Sequence, residues 1–379
     1  MLDSRELKVF RRSLLNWFRE FRRDLPWRRT KDPYLVWVSE IMLQQTRVAA
    51  VIPYFQRFVQ RFPNVRALAE APPDEVLRYW SGLGYYSRAR NLHRAAQKIA
   101  ELHDGTFPPQ EADLRALPGI GNYTAAAVCS IAFGAKRAVL DGNVARVLAR
   151  LGAIRGNVRE VGRWQRLAKQ AQALLDPITP GDWNQSMMEL GAIVCTPRAP
   201  QCLLCPVAKF CEARKSGAPD AFPEKQKKRE SVEVILAAAV VQTPSGKTLL
   251  LPPPPKKNAQ RAPEDVATLV SGLWHFPTVA VRGKAQDELQ SYLLRLTSQH
   301  STIRSEPLNK VRHSVTYRKV VVLPFRIALA SEPRISGART IRLQNLSELP
   351  ISNLTRKIAS VALGDKRPLA DKLEKRGIS

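Results

Sequence analysis

Cysteine is scarce in this chain, with five in 379 residues, too few to staple a secreted protein of this length with disulfides. Acidic residues are also in short supply. Asp and Glu total 33 against 60 Lys and Arg, a formal net charge of +27. A surplus of that size attracts polyanions, of which nucleic acid is the commonest in a cell, although basic surfaces also serve solubility alone. Long apolar runs are missing: none approaches the ~20 residues that a membrane-spanning helix needs. The N-terminal MLDSRELKVFRRSLLNWFREFRRDL has no secretory apolar centre, and its acids set it apart from an Arg-rich presequence. A cytoplasmic or nucleoid-associated protein without a membrane partner is expected.

What is present is globular. Hydrophobic residues make up 44% of a chain long enough for two or three domains. The N-terminal stretch reads as an amphipathic helix with Leu7, Phe10, Leu14, Trp17, Phe18 and Phe21 near one stripe. Asp32-Pro33 has the form of a helix cap followed by proline in the first turn. Helical patterning continues to about residue 215, which sets a first domain at 1–215. Residues 216–231, polar and proline-containing, read as a linker. Beyond them the period shortens. SVEVILAAAVVQT and TLLL predict two strands around a turn, AQDELQSYLLRL a helix, TYRKVVVLPFRIALA a long strand and NLTRKIASVAL a last helix. A separate α+β domain over 232–365 is expected, with a basic tail at 366–379 and an exposed proline loop at 252–255.

Four of the five cysteines crowd together. Cys195, Cys202, Cys205 and Cys211 are spaced C-x6-C-x2-C-x5-C. Four thiolates on a short segment suit a tetrahedral zinc or a [4Fe-4S] cluster, and the single C-x2-C pair favours the cluster over zinc. Core thiols that meet by coincidence are the third reading. Cys129, inside AAAVCSIAF, is expected to be a buried core thiol.

In LPGIGNYTAAAV one helix ends, turns on Gly119 and Gly121, and another begins at once. Glycines at such a point leave backbone N–H groups of a helix start facing outward, which suits a phosphate. Helical hairpins also use glycine with no ligand at all.

Two carboxylates stand out. Glu40 is the single acid between Pro33 and Ala69 and lies among Trp37, Val38, Ile41, Met42 and Leu43. Burial there would keep it protonated near neutral pH and make it a general acid; the alternative is a surface glutamate paired with Arg47. Asp141, in AVLDGNVARVLAR, precedes a helical run. Backbone N–H bonds at that helix start should lower its pKa and keep it ionised, and a plain capping role would explain it equally. One protonated and one ionised carboxyl form the pair that cleaves a glycosidic bond. In DNA that bond joins base to deoxyribose, so the base would have to leave the stack.

WVSEIMLQQTRVAAVIPYFQRF, WSGLGYYSRARNLH, LPGIGNYTAA, LDGNVARVL and the four-cysteine loop, in this order between about residues 5 and 215, resemble the MutY type of adenine DNA glycosylase. That type belongs to the endonuclease III superfamily of helix-hairpin-helix enzymes. The resemblance implies a mainly α core with a [4Fe-4S] loop, and a monomer that excises adenine opposite 8-oxoguanine or guanine in duplex DNA. It implies that Glu40 protonates the adenine ring at N7 and assists water attack, that Asp141 stabilises the sugar cation, and that Asn143 orients Asp141. Leu25, Trp27 and Arg28 match the wall of the adenine pocket, and Gln45 and Tyr85 match side chains that wedge into the duplex. Lyase relatives carry lysine where this chain has Tyr123, so strand cutting is expected to be weak or absent. Tyr123 itself would position water or pack against the pocket.

Over residues 232–365 the likeness is to the Nudix-like domain of the same enzymes, carried by GLWHFP and RHSVTYRKV. No Glu-rich Nudix box is present, so nucleotide hydrolysis is not expected. Where the family has Phe-Ser-His at the loop that senses the oxidised base, this chain has Val315, Thr316 and Tyr317. Thr316 keeps a hydroxyl donor. Two other functions stay open at this point: a thymine or oxidised-pyrimidine glycosylase of the same superfamily, against which Glu40 argues, and a non-catalytic protein that binds DNA damage.

Overall fold

The computed structural model describes residues 3–224, 230–253, 266–269, 272–297 and 306–364. Two compact units are formed: residues 1–70 with 91–227, and residues 71–90 with 228–379. The first domain was expected to run unbroken from 1 to 215. The segment 71–90 departs from that, because its polar groups bond to the far end of the chain: the Ser81 hydroxyl donates to the Ile351 carbonyl. The tail 366–379, linker residues 225–229 and Pro254–Pro255 of the proline loop lie outside the described residues.

The first part of the chain is helical: α1 Ser4–Phe21, α2 Pro33–Leu43, α3 Val48–Arg61, α4 Val65–Glu70, α5 Pro73–Trp80, α6 Ser87–Leu102, α7 Glu111–Arg115, α8 Asn122–Phe133, α9 Gly142–Leu151, α10 Val161–Leu174, α11 Pro180–Glu189 and α12 Glu212–Lys215. A capping box between Asp3 and Glu6 starts α1. Its buried stripe is Phe10, Leu14, Leu15 and Phe18. Phe21, the last residue of the helix, is 56% exposed, contrary to the expected stripe.

Two helices have no polar face. In α2 every residue from Val36 to Met42 is buried, and in α8 every residue from Thr124 to Ile131. Such all-round burial marks central helices. They pack on each other. Asp32 caps α2 by accepting the Tyr34 N–H, and Pro33 occupies the first turn, as expected. Gly134, at φ +70°, ends α8 in the left-handed conformation.

The second unit contains the strands β1 Val232–Gln242, β2 Thr248–Leu250, β3 Thr278–Ala280, β4 Glu306–Pro307, β5 Val311–Val315, β6 Arg318–Ala328 and β7 Arg339–Ile341, with helices α13 Val266–Leu269, α14 Ala285–Thr297 and α15 Asn353–Ala362. The main sheet runs β3-β1-β6-β4, with β5 also on β6; β1 and β6 are parallel from Val232–Arg318 to Gln242–Ala328. Alternation along β1 feeds both faces. Val234, Leu236, Ala238 and Val240 pack with Leu354 and Ile358 of α15, whereas Ala237, Ala239 and Val241 pack with Leu289 and Leu293 of α14. This is the α+β arrangement expected for this half. Among the described residues, no helix is long and apolar enough to cross a membrane.

Candidate active site

A cavity of about 480 Å³ opens in the first unit, within the range of small-ligand sites. It draws its walls from the turn before α2, from α2 itself and from the starts of α8 and α9 and the end of α11. Glu40, Tyr123, Asp141, Asn143, Leu25, Trp27, Arg28 and Gln45 all line it. Eight residues scattered over nearly 120 positions of sequence therefore meet in one place.

Glu40 is 6% exposed, which removes the surface pairing with Arg47 as its explanation. The Tyr123 hydroxyl donates to Glu40 Oε2 at 2.7 Å and lies 3.2 Å from Met188 Sδ. Burial pushes the Glu40 carboxyl up to about 7; the Tyr123 bond opposes this, the Asp141 charge adds to it, and the Arg28 charge subtracts from it. Near neutral pH the acid thus carries its proton in a large part of the molecules. Tyr123 was expected to place water or to pack, and its bond to the acid is an addition that only the fold reveals. Burial and the two neighbouring carboxylates raise the phenol's own pKa.

Asp141 caps α9, accepting the Val144 N–H at 2.7 Å, and the Asn143 side-chain amide donates to it at 3.2 Å. The expectation of a lowered pKa is overturned. Burial raises this carboxyl above the ordinary aspartate value, against the backbone N–H groups of Val144 and Asn143 and the Arg146 charge, which pull it down. A helix cap on the surface would lack the first effect; this one faces into the cavity. Arg146 in turn holds Asn143, donating to its Oδ1 at 2.8 Å, and donates to the Cys195 carbonyl at 2.9 Å.

A second buried acid escaped the sequence reading. Glu189, with no exposed side-chain surface, accepts from Arg23 at 2.6 Å and from Arg28 at 2.8 Å. Burial alone would raise its pKa, but the two guanidinium groups hold it at about 2. The signal was there in MMELGAIV, an acid set among apolar residues as Glu40 is. Pattern alone cannot separate the two, because the arginine partners of Glu189 lie more than 160 residues away. Gln185 and Met188, one helical turn and one residue before Glu189, also reach the cavity.

The family described as the HhH-GPD superfamily of base excision DNA repair proteins matches residues 38–171. The chain is 35% identical to the adenine DNA glycosylase of Homo sapiens, over 96% of its own length and 76% of that protein. It is 41% identical to the adenine DNA glycosylase of Buchnera aphidicola from Acyrthosiphon pisum, over 58% of its length and 63% of that protein. A solved structure of a thermostable thymine-DNA glycosylase superimposes with a TM-score of 0.51 at 31% identity, covering 55% of this chain and 97% of that one. The chain belongs to the adenine DNA glycosylase family.

As a DNA glycosylase of base excision repair, the enzyme is a hydrolase acting on the bond between base and sugar. Two further parts of it lie outside the cavity. The α7–α8 hairpin turns as expected. Gly119 has φ +79°, and a Cβ on it would meet Asn91 Cβ at 2.7 Å, so glycine is required there. Gly121 begins α8 with no side-chain cap, and a Cβ on it would meet nothing within 4 Å. The open start of α8 is a backbone surface that a phosphate can approach.

Cys195, Cys202, Cys205 and Cys211 surround one small space together with Arg150, and none is in a disulfide. Arg150 is 2% exposed, and its guanidinium lies 3.3 Å from Cys195 Sγ. A π-turn over Leu190–Val194 leads from α11 into Cys195. Cys129 is buried at 1% exposure, the core thiol expected.

Of the remaining residues singled out in the sequence, Tyr85 and Thr316 both lie in the second unit. Tyr85 is 46% exposed with φ +47°, and Thr316 is exposed at the β5–β6 turn with φ +54°. Gln45, at the cavity, has φ +56°. A positive φ is uncommon in any residue with a side chain and concentrates at functional sites.

Proposed function

We propose that the enzyme removes adenine paired with 8-oxoguanine or guanine in duplex DNA, acting as a monomer without an efficient strand-cutting step. The observation that carries this is the meeting of Glu40 and Asp141 on one cavity large enough for an extruded purine. Glu40, with its pKa near 7, gives its proton to N7 of the base and so improves the leaving group. The bond between N9 and C1′ breaks, its electron pair goes to the purine, and positive charge develops on the sugar. Asp141, oriented by Asn143, faces that charge as a carboxylate, and the charge itself favours the ionised form. Water then adds to C1′ and yields its proton to Glu40, which is restored. Leu25 and Trp27 supply apolar walls for the base, and Arg28 is held rigid by Glu189. Tyr123 has no amine with which to form a Schiff base, which supports the reading of a glycosylase without lyase chemistry.

Gln45, Tyr85 and Thr316 share a left-handed backbone and an exposed side chain, which supports their reading as residues that enter or probe the duplex. The hairpin glycines Gly119 and Gly121 take the phosphate backbone. The four cysteines fit a [4Fe-4S] cluster. They ring a common space beside Arg150, a buried cation that would balance a charged cluster. Bound there, the cluster supplies a covalent staple for the loop that carries Arg198 and Lys209.

Duplexes carrying A·8-oxoguanine, A·G, G·T and thymine glycol test the assignment. Adenine release from the first two is expected, and release of thymine without adenine would overturn it. Glu40→Gln should lower single-turnover base release at least ~100-fold and keep duplex binding; unchanged turnover would remove the acid from its role. Iron and sulfide in equal amounts in the purified protein would support the cluster, and zinc in their place would refute it.

A further inference from the structure

Within the second unit, the turn 81–86 is tied to the start of α15 by polar contacts that bridge 270 residues of sequence. Ser81 is 5% exposed, and its hydroxyl donates to the Ile351 carbonyl at 2.8 Å. The Asn353 amide donates to the Gly82 carbonyl at 2.9 Å. Arg356 donates to the Ser81 hydroxyl at 2.8 Å and to its carbonyl at 3.4 Å. Tyr86 adds a clamp from within, its hydroxyl accepting the Gly82 N–H at 3.1 Å.

The turn so held is an unusual one. Gly82 has φ +111°, Gly84 φ +76° and Tyr85 φ +47°. Glycine adopts such angles freely, but tyrosine does not, and a left-handed tyrosine persists only where its surroundings hold it. Below Tyr85 lies the buried Arg88, its guanidinium 5.3 Å from the Tyr85 ring and 5.4 Å from that of Trp80. The exposed phenol is therefore presented outward on a turn fixed from two sides, one of them α15.

We infer that Asn353 and Arg356 are positioning residues for mispair recognition: they lock the 81–86 turn so that Tyr85 is already set for insertion into the duplex. This rests on the reading of Tyr85 as a wedge side chain. A wedge that must first be ordered binds more weakly than one set in advance, because the ordering free energy is drawn from the interaction. The contribution of α15 then appears in duplex binding and base extrusion, and the bond-breaking step does not sense it.

The experiment uses the full-length protein with Asn353→Ala, Arg356→Ala, Arg356→Lys, Tyr85→Ala and the Tyr85→Ala/Arg356→Ala pair. Affinity for an A·8-oxoguanine duplex is measured, together with extrusion, followed by the fluorescence of 2-aminopurine in the adenine position. The saturating single-turnover rate is the third readout. Roughly tenfold weaker binding and slower extrusion are expected for either alanine variant at α15, with saturating chemistry within about twofold of the parent. Arg356→Lys, which keeps a cationic donor toward Ser81, should recover part of the loss. The pair should be no worse than Tyr85→Ala alone. Additive losses, or equal losses on a matched A·T duplex with a lowered Tm, would assign Asn353 and Arg356 a merely structural role and overturn the inference. Normal extrusion in the α15 variants beside defective extrusion in Tyr85→Ala would overturn it while sparing the wedge. Normal extrusion in Tyr85→Ala would remove the wedge, and this inference with it.

Discussion

The Tyr123 hydroxyl lies 2.7 Å from Glu40 Oε2 and donates a hydrogen bond to it, inside the cavity that both residues line. A donor aimed at a carboxylate favours the ionised form, so Tyr123 works against the burial that raises Glu40. The two effects together set the acid near neutral pH. Glu189, equally enclosed, ends at the other extreme because its partners are full cations.

The first consequence is a pH profile. The reaction needs protonated Glu40, so the single-turnover rate is expected to fall as pH rises through about 7. Tyr123→Phe removes the donor that stabilises the ionised carboxylate. The pKa then rises, and the alkaline limb moves to higher pH by roughly one unit. A limb displaced downward in this variant would show that the hydroxyl does something else.

Tyr123→Lys places an amine where the phenol now meets Glu40. Some strand nicking is expected, and borohydride should trap an enzyme–DNA adduct. Failure to trap any adduct with a duplex that the variant still deglycosylates would count against the geometric argument for a glycosylase without lyase chemistry.

Glu189→Gln should destabilise the fold, since two guanidinium groups lose their shared anion in a buried place; about 3–5 kcal/mol is expected. The folded pKa of about 2 is depressed below 4.5. The corresponding stabilisation, about 3 kcal/mol, is complete above the unfolded value and is lost as pH falls from there toward 2. Denaturant titrations of parent and variant should therefore converge toward acid. Curves that stay parallel from neutral pH down to about pH 3 would reject the pairing.

The two hairpin glycines should separate stability from binding. Gly119→Ala combines a left-handed backbone with a clash against Asn91, so stability should fall by about 1–3 kcal/mol. Gly121→Ala meets open space and ordinary angles and should melt like the parent. It nonetheless puts a methyl group where a phosphate would approach, so duplex binding should weaken, with a log–log salt slope shallower by about one contact. A parent-like salt slope in Gly121→Ala would move the phosphate elsewhere.

How much was legible beforehand depended on distance along the chain. Local features were readable because their causes are local. Asp32-Pro33 caps a helix whatever surrounds it, the glycines of the hairpin answer to backbone angles, and the alternation in β1 follows from a period of two. The cysteine spacing brought four thiols to one space because only 16 positions separate Cys195 from Cys211. Even the burial of Glu40 could be inferred, since its helix is apolar on every side.

The sequence by itself thus determined the helical first part, the longest strands β1 and β6 with the helices α14 and α15, and the resemblance to a family, and it singled out two carboxylates. Tertiary structure alone decided what each acid meets. The sign of the Asp141 shift, the Tyr123 bond to Glu40 and the arginine pair on Glu189 all depend on groups brought from distant positions. The same holds for the turn 81–86, which sits in sequence within the family-matched span yet is tied to α15. The physical reason is common to all of them. Burial and charge act through space over a few ångströms, whereas the patterns in a sequence report only on neighbours a turn or a pleat away.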